Sequence, residues 1–318
     1  MSPTLTIVIP VFNEAESLPE LAAGIREVCE ARGYPFDAVL VDDGSTDGSW
    51  EVIERLHGED ERFRGVRFRR NYGKSAALAV GFERAGGDYV ITMDADLQDD
   101  PNEIPNLVAK LEEGYDLVSG WKRKRNDPLS KTIPSRFFNR ITRSISGIPL
   151  HDFNCGLKIY RREVIENVTL YGELHRYIPL LAKWEGYTRI GELPVQHHAR
   201  KYGTTKFGLE RFVRGFLDLI TVQYLTRYAA RPMHFFGVLG TLSFLVGTGI
   251  SAYLTVLKLF GQPLSNRPLL FLGMLLILLG AQCFFTGLLG EMFIQPRMED
   301  TTRYQVKAEV GQEEIYDV

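Results

Sequence analysis

From Leu5 to Val11 the chain is apolar and β-branched, and it passes through Phe12-Asn13-Glu14 into a helical pattern from Ala15 to about Ala31. The apolar run Phe36 to Val41 stops at Asp42-Asp43-Gly44-Ser45, and Asp47 to Leu56 continues as a helix that a Ser or Thr can cap. Val66 to Arg69 predicts a third strand, followed by Asn71-Tyr72-Gly73-Lys74 and a helix from Ser75 to Arg84. A fourth strand begins at Tyr89 and ends abruptly at Asp94-Ala95-Asp96. Strands alternating with helices predict an α/β fold with a mostly parallel sheet and helices on both faces. Functional residues of such sheets gather at the strands' carboxyl ends, where Asn13, Glu14, Asp42, Asp43, Asn71, Asp94 and Asp96 all fall.

Asp94 and Asp96, with Gln98 just beyond, are hard oxygen donors that suit Mg²⁺ or Mn²⁺. Asp-x-Asp alone is more often a solvated turn than a metal site. Asp100, Pro101 and Glu103 then form a helix start. No Walker sequence or Gly-x-Gly-x-x-Gly follows the first strand, so a bound diphosphate would need a metal to neutralise it. Asp116 to Gly120 predicts another strand, after which Trp121-Lys122-Arg123-Lys124-Arg125 opens a basic segment reaching Ser135-Arg136-Phe137-Phe138-Asn139-Arg140. Helical spacing there puts Phe138, Ile141 and Ile145 on one side, which suits a membrane surface or a helix packed on its own domain. His151 to Lys158 precedes a strand and a helix, and Ile190 to Val195 is the last strand. Arg200 to Lys206 is a glycine-containing loop with three cations, a phosphate clamp by composition.

Phe207 to Tyr228 is amphipathic, and beyond it Phe235 to Leu257 and Pro268 to Gly290 contain no charged residue. Each run is long enough to cross a bilayer. Arg227, Arg231, Arg297 and Arg303 flank the pair, against Lys258 and Arg267 in the connecting turn, which predicts both ends cytoplasmic. Glycines dot both runs and permit close helix packing within or between subunits. The expected organisation is a catalytic domain over 1–206, an amphipathic juxtamembrane helix over 207–232, two transmembrane helices over 233–292 and a tail over 293–318. A net charge of -3 over 318 residues excludes nucleic acid as the main partner. Three scattered cysteines make neither a disulfide framework nor a zinc site, and Met1 to Thr6 lacks signal-peptide character, so the catalytic domain is expected in the cytoplasm of a cell whose inner membrane holds the spans.

Ile9-Pro10-Val11-Phe12-Asn13-Glu14, Val41-Asp42-Asp43-Gly44-Ser45-Thr46-Asp47 and Asp94-Ala95-Asp96-Leu97-Gln98 together resemble glycosyltransferase family 2, which has the Rossmann-like GT-A fold. With the two spans, the chain looks most like the polyprenyl-phosphate glycosyltransferases, such as bactoprenol glucosyltransferases and dolichol-phosphate mannose synthases. The resemblance implies that Pro10, Phe12, Glu14 and Asp42 hold the nucleoside, with Asp43 and the Asn71 to Lys74 loop beside it. It places Asp94, Ala95, Asp96 and Gln98 at the metal and donor diphosphate. Arg123, Ser135, Arg136 and Asn139 would receive the lipid phosphate, and Arg200 to Lys206 would fold over the donor, with Lys206 the best single phosphate contact. No Gln-x-x-Arg-Trp is present, which favours one transfer over polymer synthesis.

The implied reaction is an inverting transfer of one sugar, glucose from UDP-glucose, to undecaprenyl or another polyprenyl phosphate. Mannose from GDP-mannose and an amino sugar from a UDP donor are the alternatives, and a non-catalytic sugar-nucleotide-binding membrane protein is the reading from another class. A phosphate monoester with a second pKa of about 6 is already deprotonated at neutral pH, so a strong general base is unnecessary. Asp152 is the residue placed to act as one, or else to orient an arginine or cap a turn. His197 and His198 read as strand-end polar residues rather than ligands. A homo-oligomer is expected from the family and the glycine-dotted spans.

Overall fold

The computed structural model describes residues 2–123, 139–144, 146–170, 172, 174–198, 201, 232–263 and 268–299, with side chains in the last helix described to 292. The chain divides into two units, Met1–Val222 and Gln223–Val318.

In the first unit β1 (Leu5–Val11), α1 (Leu18–Arg32), β2 (Phe36–Asp42), α2 (Ser49–Glu59), β3 (Phe63–Arg67), α3 (Lys74–Glu83) and β4 (Tyr89–Thr92) alternate. A 3₁₀ turn at Pro101–Glu103 leads into α4 (Ile104–Glu112) and β5 (Leu117–Trp121). Then follow β6 (Lys158–Arg161), α5 (Arg162–Asn167), a 3₁₀ turn at Leu174–Tyr177, α6 (Ile178–Trp184) and β7 (Ile190–Pro194). Seven strands form one sheet in the order β3-β2-β1-β4-β6-β5-β7. Only β6 runs against its neighbours, pairing antiparallel with both β4 and β5.

Strand β1 explains why the helices lie on both faces. Leu5, Ile7, Ile9 and Val11 pack with Leu21 and Ile25 of α1, Ile53 of α2 and Leu107 of α4. Val8, on the opposite face, packs with Leu78 and Phe82 of α3, Val164 of α5 and Leu181 of α6. A strand buried on both sides reads as a continuous apolar run, which is the pattern of residues 5–11.

Three expected boundaries move, each for a local reason. Helix α1 begins at Leu18 rather than Ala15, and the amides of Asn13, Glu14 and Ala15 donate instead to Ser45, Ser49 and Asp47 in the segment after β2. Helix α2 is capped by Gly48 with no side-chain bond, while Asp47 accepts from the Ser49 amide at 3.0 Å. Strand β3 spans Phe63–Arg67 rather than 66–69, in register with Ala38 to Asp42. It lies at the sheet edge and only Phe63 is buried, so periodicity carried little information there.

The second unit contains α7 (Pro232–Leu259) and α8 (Pro268–Glu299). Windows of mean hydropathy 1.7 and 2.3 make both long and apolar enough to cross a membrane. They are not core helices of a soluble fold, since Leu242, Leu245 and Leu278 are each 63% exposed. Their contact is made by glycines: a Cβ at Gly240 would lie 2.7 Å from the Gly280 carbonyl oxygen, and one at Gly247 2.7 Å from that of Gly273. Spacing these glycines seven residues apart keeps them on one seam of an antiparallel pair. The described glycine stripe is therefore used within the chain.

Candidate active site

The carboxyl ends of β2, β1 and β4 lie side by side, with Val11 opposite Asp42 and Val8 opposite Thr92. Their loops are stitched together. Asn13, in the left-handed region at φ 57°, donates its amide to Ser45 Oγ at 2.9 Å and accepts from the Thr46 amide at 2.8 Å. Phe12 is thereby held 39% exposed beside this turn. Glu14 is half-buried and accepts from Ser17 Oγ at 3.3 Å, and Pro10 sits within the β1 register opposite Val41.

Asp42 and Asp43 both accept hydrogen bonds from backbone amides. Asp42 is fully buried, accepts from the Ser45 amide at 2.8 Å and lies 3.4 Å from Arg67 Nε. Asp43 accepts from the amides of Tyr72 at 2.6 Å and Gly73 at 2.9 Å. Burial raises its pKa, and those two amides oppose the rise. Gly44 presses against the same loop, since a Cβ there would lie 2.5 Å from the Arg70 carbonyl carbon. Asp43 and Gly44 thus clasp the loop that ends in Lys74.

Lys74, the first residue of α3, reaches Asp94 and pairs with it. Asp94 is also backed by Gly156, where a Cβ would lie 2.5 Å from a carboxylate oxygen. Burial pushes the Asp94 pKa up, but Lys74, Lys122 and Lys158 together outweigh it and hold the carboxyl well below the usual range. Ala95 is buried, Asp96 and Gln98 are half-buried, and Asp96 accepts from the Gln98 amide at 3.2 Å. Leu97 between them has φ 59°, a conformation rare for a branched residue and typical of a constrained functional turn.

Among the described residues no group of three His, Cys, Asp or Glu side chains forms a metal cage. That suits the proposed ion, because Mg²⁺ is usually held by one or two carboxylates, with substrate phosphates and water completing the octahedron. Asp94 and Asp96 fit such a role by donor type.

The opposite side of the site is more closed than the sequence implied. Asp152 is fully buried, and it accepts from the Asn154 amide at 3.1 Å. That bond caps the turn at residues 152–154. Asn139, 6% exposed, faces the same turn and accepts from the Phe153 amide at 3.4 Å. Ile141 packs against the core, so the described helical residues 139–144 lie on their own domain. Arg123 is exposed, with its guanidinium 5.8 Å from the Trp121 ring centre, and Trp121 stacks on His151 at 4.3 Å. Ser135, Arg136, Arg200 and Lys206, with the juxtamembrane helix at 207–231, lie outside the described residues.

Several supports of the site reach it from across the fold. Lys122 pairs with buried Asp99 at 3.0 Å. His175 Nδ1 lies 3.0 Å from Ser75 Oγ, which also accepts from the His175 amide at 3.1 Å. Burial, helped by Lys74 and Arg176, drives the His175 pKa well below its ordinary value. His198 pairs with Asp100 at 3.0 Å and donates its amide to the Gln98 carbonyl, so it braces the acidic loop. Positions one hundred residues apart, such as Ser75 and His175, leave no mark in a local pattern.

Paired carboxylates beside a lysine thus stand at the carboxyl end of the parallel part of the sheet. Residues 6–169 match the family model for Glycosyl transferase family 2. A dodecaprenyl-phosphate galacturonate synthase of Rhizobium johnstonii is 40% identical over 306 residues, covering 93% of this chain and 89% of that protein. The chain belongs to glycosyltransferase family 2 and is a glycosyltransferase. Glucosyl-3-phosphoglycerate synthase of Mycobacterium tuberculosis, solved with phosphoglyceric acid, superposes with a TM-score of 0.55 at 20% identity, covering 70% of this chain and 80% of that one. Mannosyl-3-phosphoglycerate synthase of Rubrobacter xylanophilus gives 0.58 at 15%, covering 70% and 74%. These two share the GT-A fold with it.

Proposed function

We propose that this glycosyltransferase moves a single sugar from a UDP-sugar to a polyprenyl phosphate at the cytoplasmic face of the inner membrane, with inversion. The observation that carries this reading is the likeness to a dodecaprenyl-phosphate synthase over 93% of the chain, a share that extends well beyond the catalytic unit. Two membrane-length helices in the same chain support it. A polyprenyl tail does not leave the bilayer readily, since each buried CH₂ contributes about 0.8 kcal/mol, so the enzyme has to meet the lipid at the membrane.

Phe12 presents an exposed aromatic face for the nucleobase beside Pro10 and Glu14, and the clasp of Asp43 on the loop at residues 70–73 sets the position of Lys74 near the diphosphate. Asp94 and Asp96 would hold Mg²⁺ or Mn²⁺, whose contribution is Lewis-acid stabilisation of the departing diphosphate. Arg123, Arg136, Arg200 and Lys206 supply positive charge for the acceptor phosphate and the donor, and the Ser135 hydroxyl supplies a hydrogen bond. The acceptor oxygen is ionised at neutral pH, which accords with the burial of Asp152. Residues 1–206 form the catalytic part, 207–232 the juxtamembrane helix and 233–292 the anchor, followed by a cytoplasmic tail.

Glucose from UDP-glucose is the first reading for the sugar. A UDP-hexuronate is the second, favoured by the galacturonate named for the 40% relative. The test gives purified full-length protein undecaprenyl phosphate and, in turn, radiolabelled UDP-glucose, UDP-galacturonate and GDP-mannose. We expect one of the UDP-sugars to yield a labelled lipid, with the better substrate deciding between the two readings. A product from GDP-mannose alone, or no lipid product from any donor, overturns the proposal.

A further inference from the structure

Lys74 is fixed at its backbone, while its side chain pairs with Asp94 and still reaches solvent. On one side Asp43 grips the Gly73 amide, and on the other Ser75 is pinned by His175. The side chain keeps 32% of its exposure, as does Asp94 at 31%. The two other lysines near Asp94 are committed elsewhere. Lys122 pairs with Asp99 and is 13% exposed, and buried Lys158 donates to the Cys155 carbonyl. Of the three, Lys74 alone combines direct contact with Asp94 and a solvent-reaching stem.

We propose that Lys74 is a tethered counter-cation: it occupies Asp94 before the donor arrives, yields that carboxylate to the divalent ion, and passes to the donor's diphosphate. This rests on the nucleotide and metal reading above and is independent of the lipid acceptor. A divalent ion arriving alone must contest Asp94 with an ammonium, inside a field to which Lys122 and Lys158 add. A nucleoside diphosphate gives that ammonium a new partner and so favours the exchange. Ion and nucleotide therefore bind cooperatively, each strengthening the other by the same factor.

The experiment titrates Mn²⁺ against the full-length protein in nanodiscs, following free Mn²⁺ by electron paramagnetic resonance, with and without UDP. In the wild type, UDP is expected to tighten Mn²⁺ binding by about tenfold or more. Lys74→Met, which keeps the stem and loses the charge, is expected to bind Mn²⁺ about tenfold more tightly without UDP and to gain less from UDP. Lys74→Arg should behave as the wild type. Mn²⁺ affinity unchanged or weaker in Lys74→Met without UDP overturns the proposal, as does an undiminished gain from UDP. Absence of any UDP effect in the wild type overturns it without recourse to a variant. A failed lipid assay leaves this linkage measurable, so the two proposals fail separately.

Discussion

Glycine serves opposite ends in the two units of this chain. In the catalytic unit, Gly156 leaves room for the carboxylate of Asp94, and Gly44 lets one strand-end loop press on the next. In the helical hairpin, Gly240 and Gly280 let two backbones approach, each glycine facing the other's carbonyl oxygen. The first use positions chemistry and the second substitutes for a hydrophobic driving force, which lipid-facing helices lack among themselves. A Cβ should therefore damage activity in one unit and packing in the other.

Gly156→Ala is the sharpest break. The added methyl would sit 2.5 Å from the Asp94 carboxylate, so that side chain has to turn away from the donor site. Misplacing a group by about 1 Å can cost roughly 100-fold in rate, so kcat is expected to fall by about that factor while the melting temperature changes little. Wild-type kcat in the variant would show that Asp94 has no geometric demand to meet. Gly280→Leu tests the other half. Its side chain would have to occupy the space of the Gly240 carbonyl and Phe244. Spin labels at Leu239 and Leu279 in nanodiscs should move apart by about 2 Å, since helix separation follows the side chains at the contact. An unchanged distance would mean the glycine seam does not set the hairpin.

The two units also differ in how much their sequences disclose. Residues 5–11 reveal β1 because burial on both faces leaves an unbroken apolar run, and the two spans reveal themselves by length alone. The acidic turn at residues 94–98 was legible as hard donors at a strand end. Its supports were not. Lys122 on Asp99, Ser75 under His175 and Gly156 behind Asp94 are each pairings across the fold, and none has a local period. The hold of Asp43 on the amides of Tyr72 and Gly73 is likewise a pairing across the fold, which no local pattern carries.

Asp43→Ala asks how much that second use is worth. Two part-buried amides lose their acceptor, and unsatisfied buried donors cost about 1–3 kcal/mol each when water does not replace the partner. The loop at residues 70–73 lies near the surface, with Tyr72 53% exposed, so water offsets part of that cost. We expect a loss of about 1–2 kcal/mol in denaturant unfolding and a raised KM for the nucleotide donor. An unchanged KM alongside the stability loss would show that the clasp does not position Lys74 for the donor.

The smallest effect separates the units by charge. The described spans carry no ionised side chain between Phe235 and Leu257, whereas the catalytic unit is laced with ion pairs, so acid should act on the catalytic unit. Asp60 is a clean instance. Hydrogen bonds from the Arg62 guanidinium, then the Arg62 amide and Arg26, outweigh burial and bring its pKa from 3.8 to about 2. A carboxyl depressed in the folded state contributes stability above its unfolded pKa and loses it as pH falls through the folded value. The contribution of Asp60 should therefore be whole at pH 5 and decline between about pH 4 and pH 2. Because Arg62 is 39% exposed, solvent screening limits the pair to about 1 kcal/mol or less. Asp60→Asn should lower stability slightly at neutral pH and flatten the acid limb of the unfolding curve, read by intrinsic fluorescence of the catalytic unit's tryptophans in the full chain. An acid limb equally steep in the variant would move the origin of acid sensitivity away from this edge of the sheet.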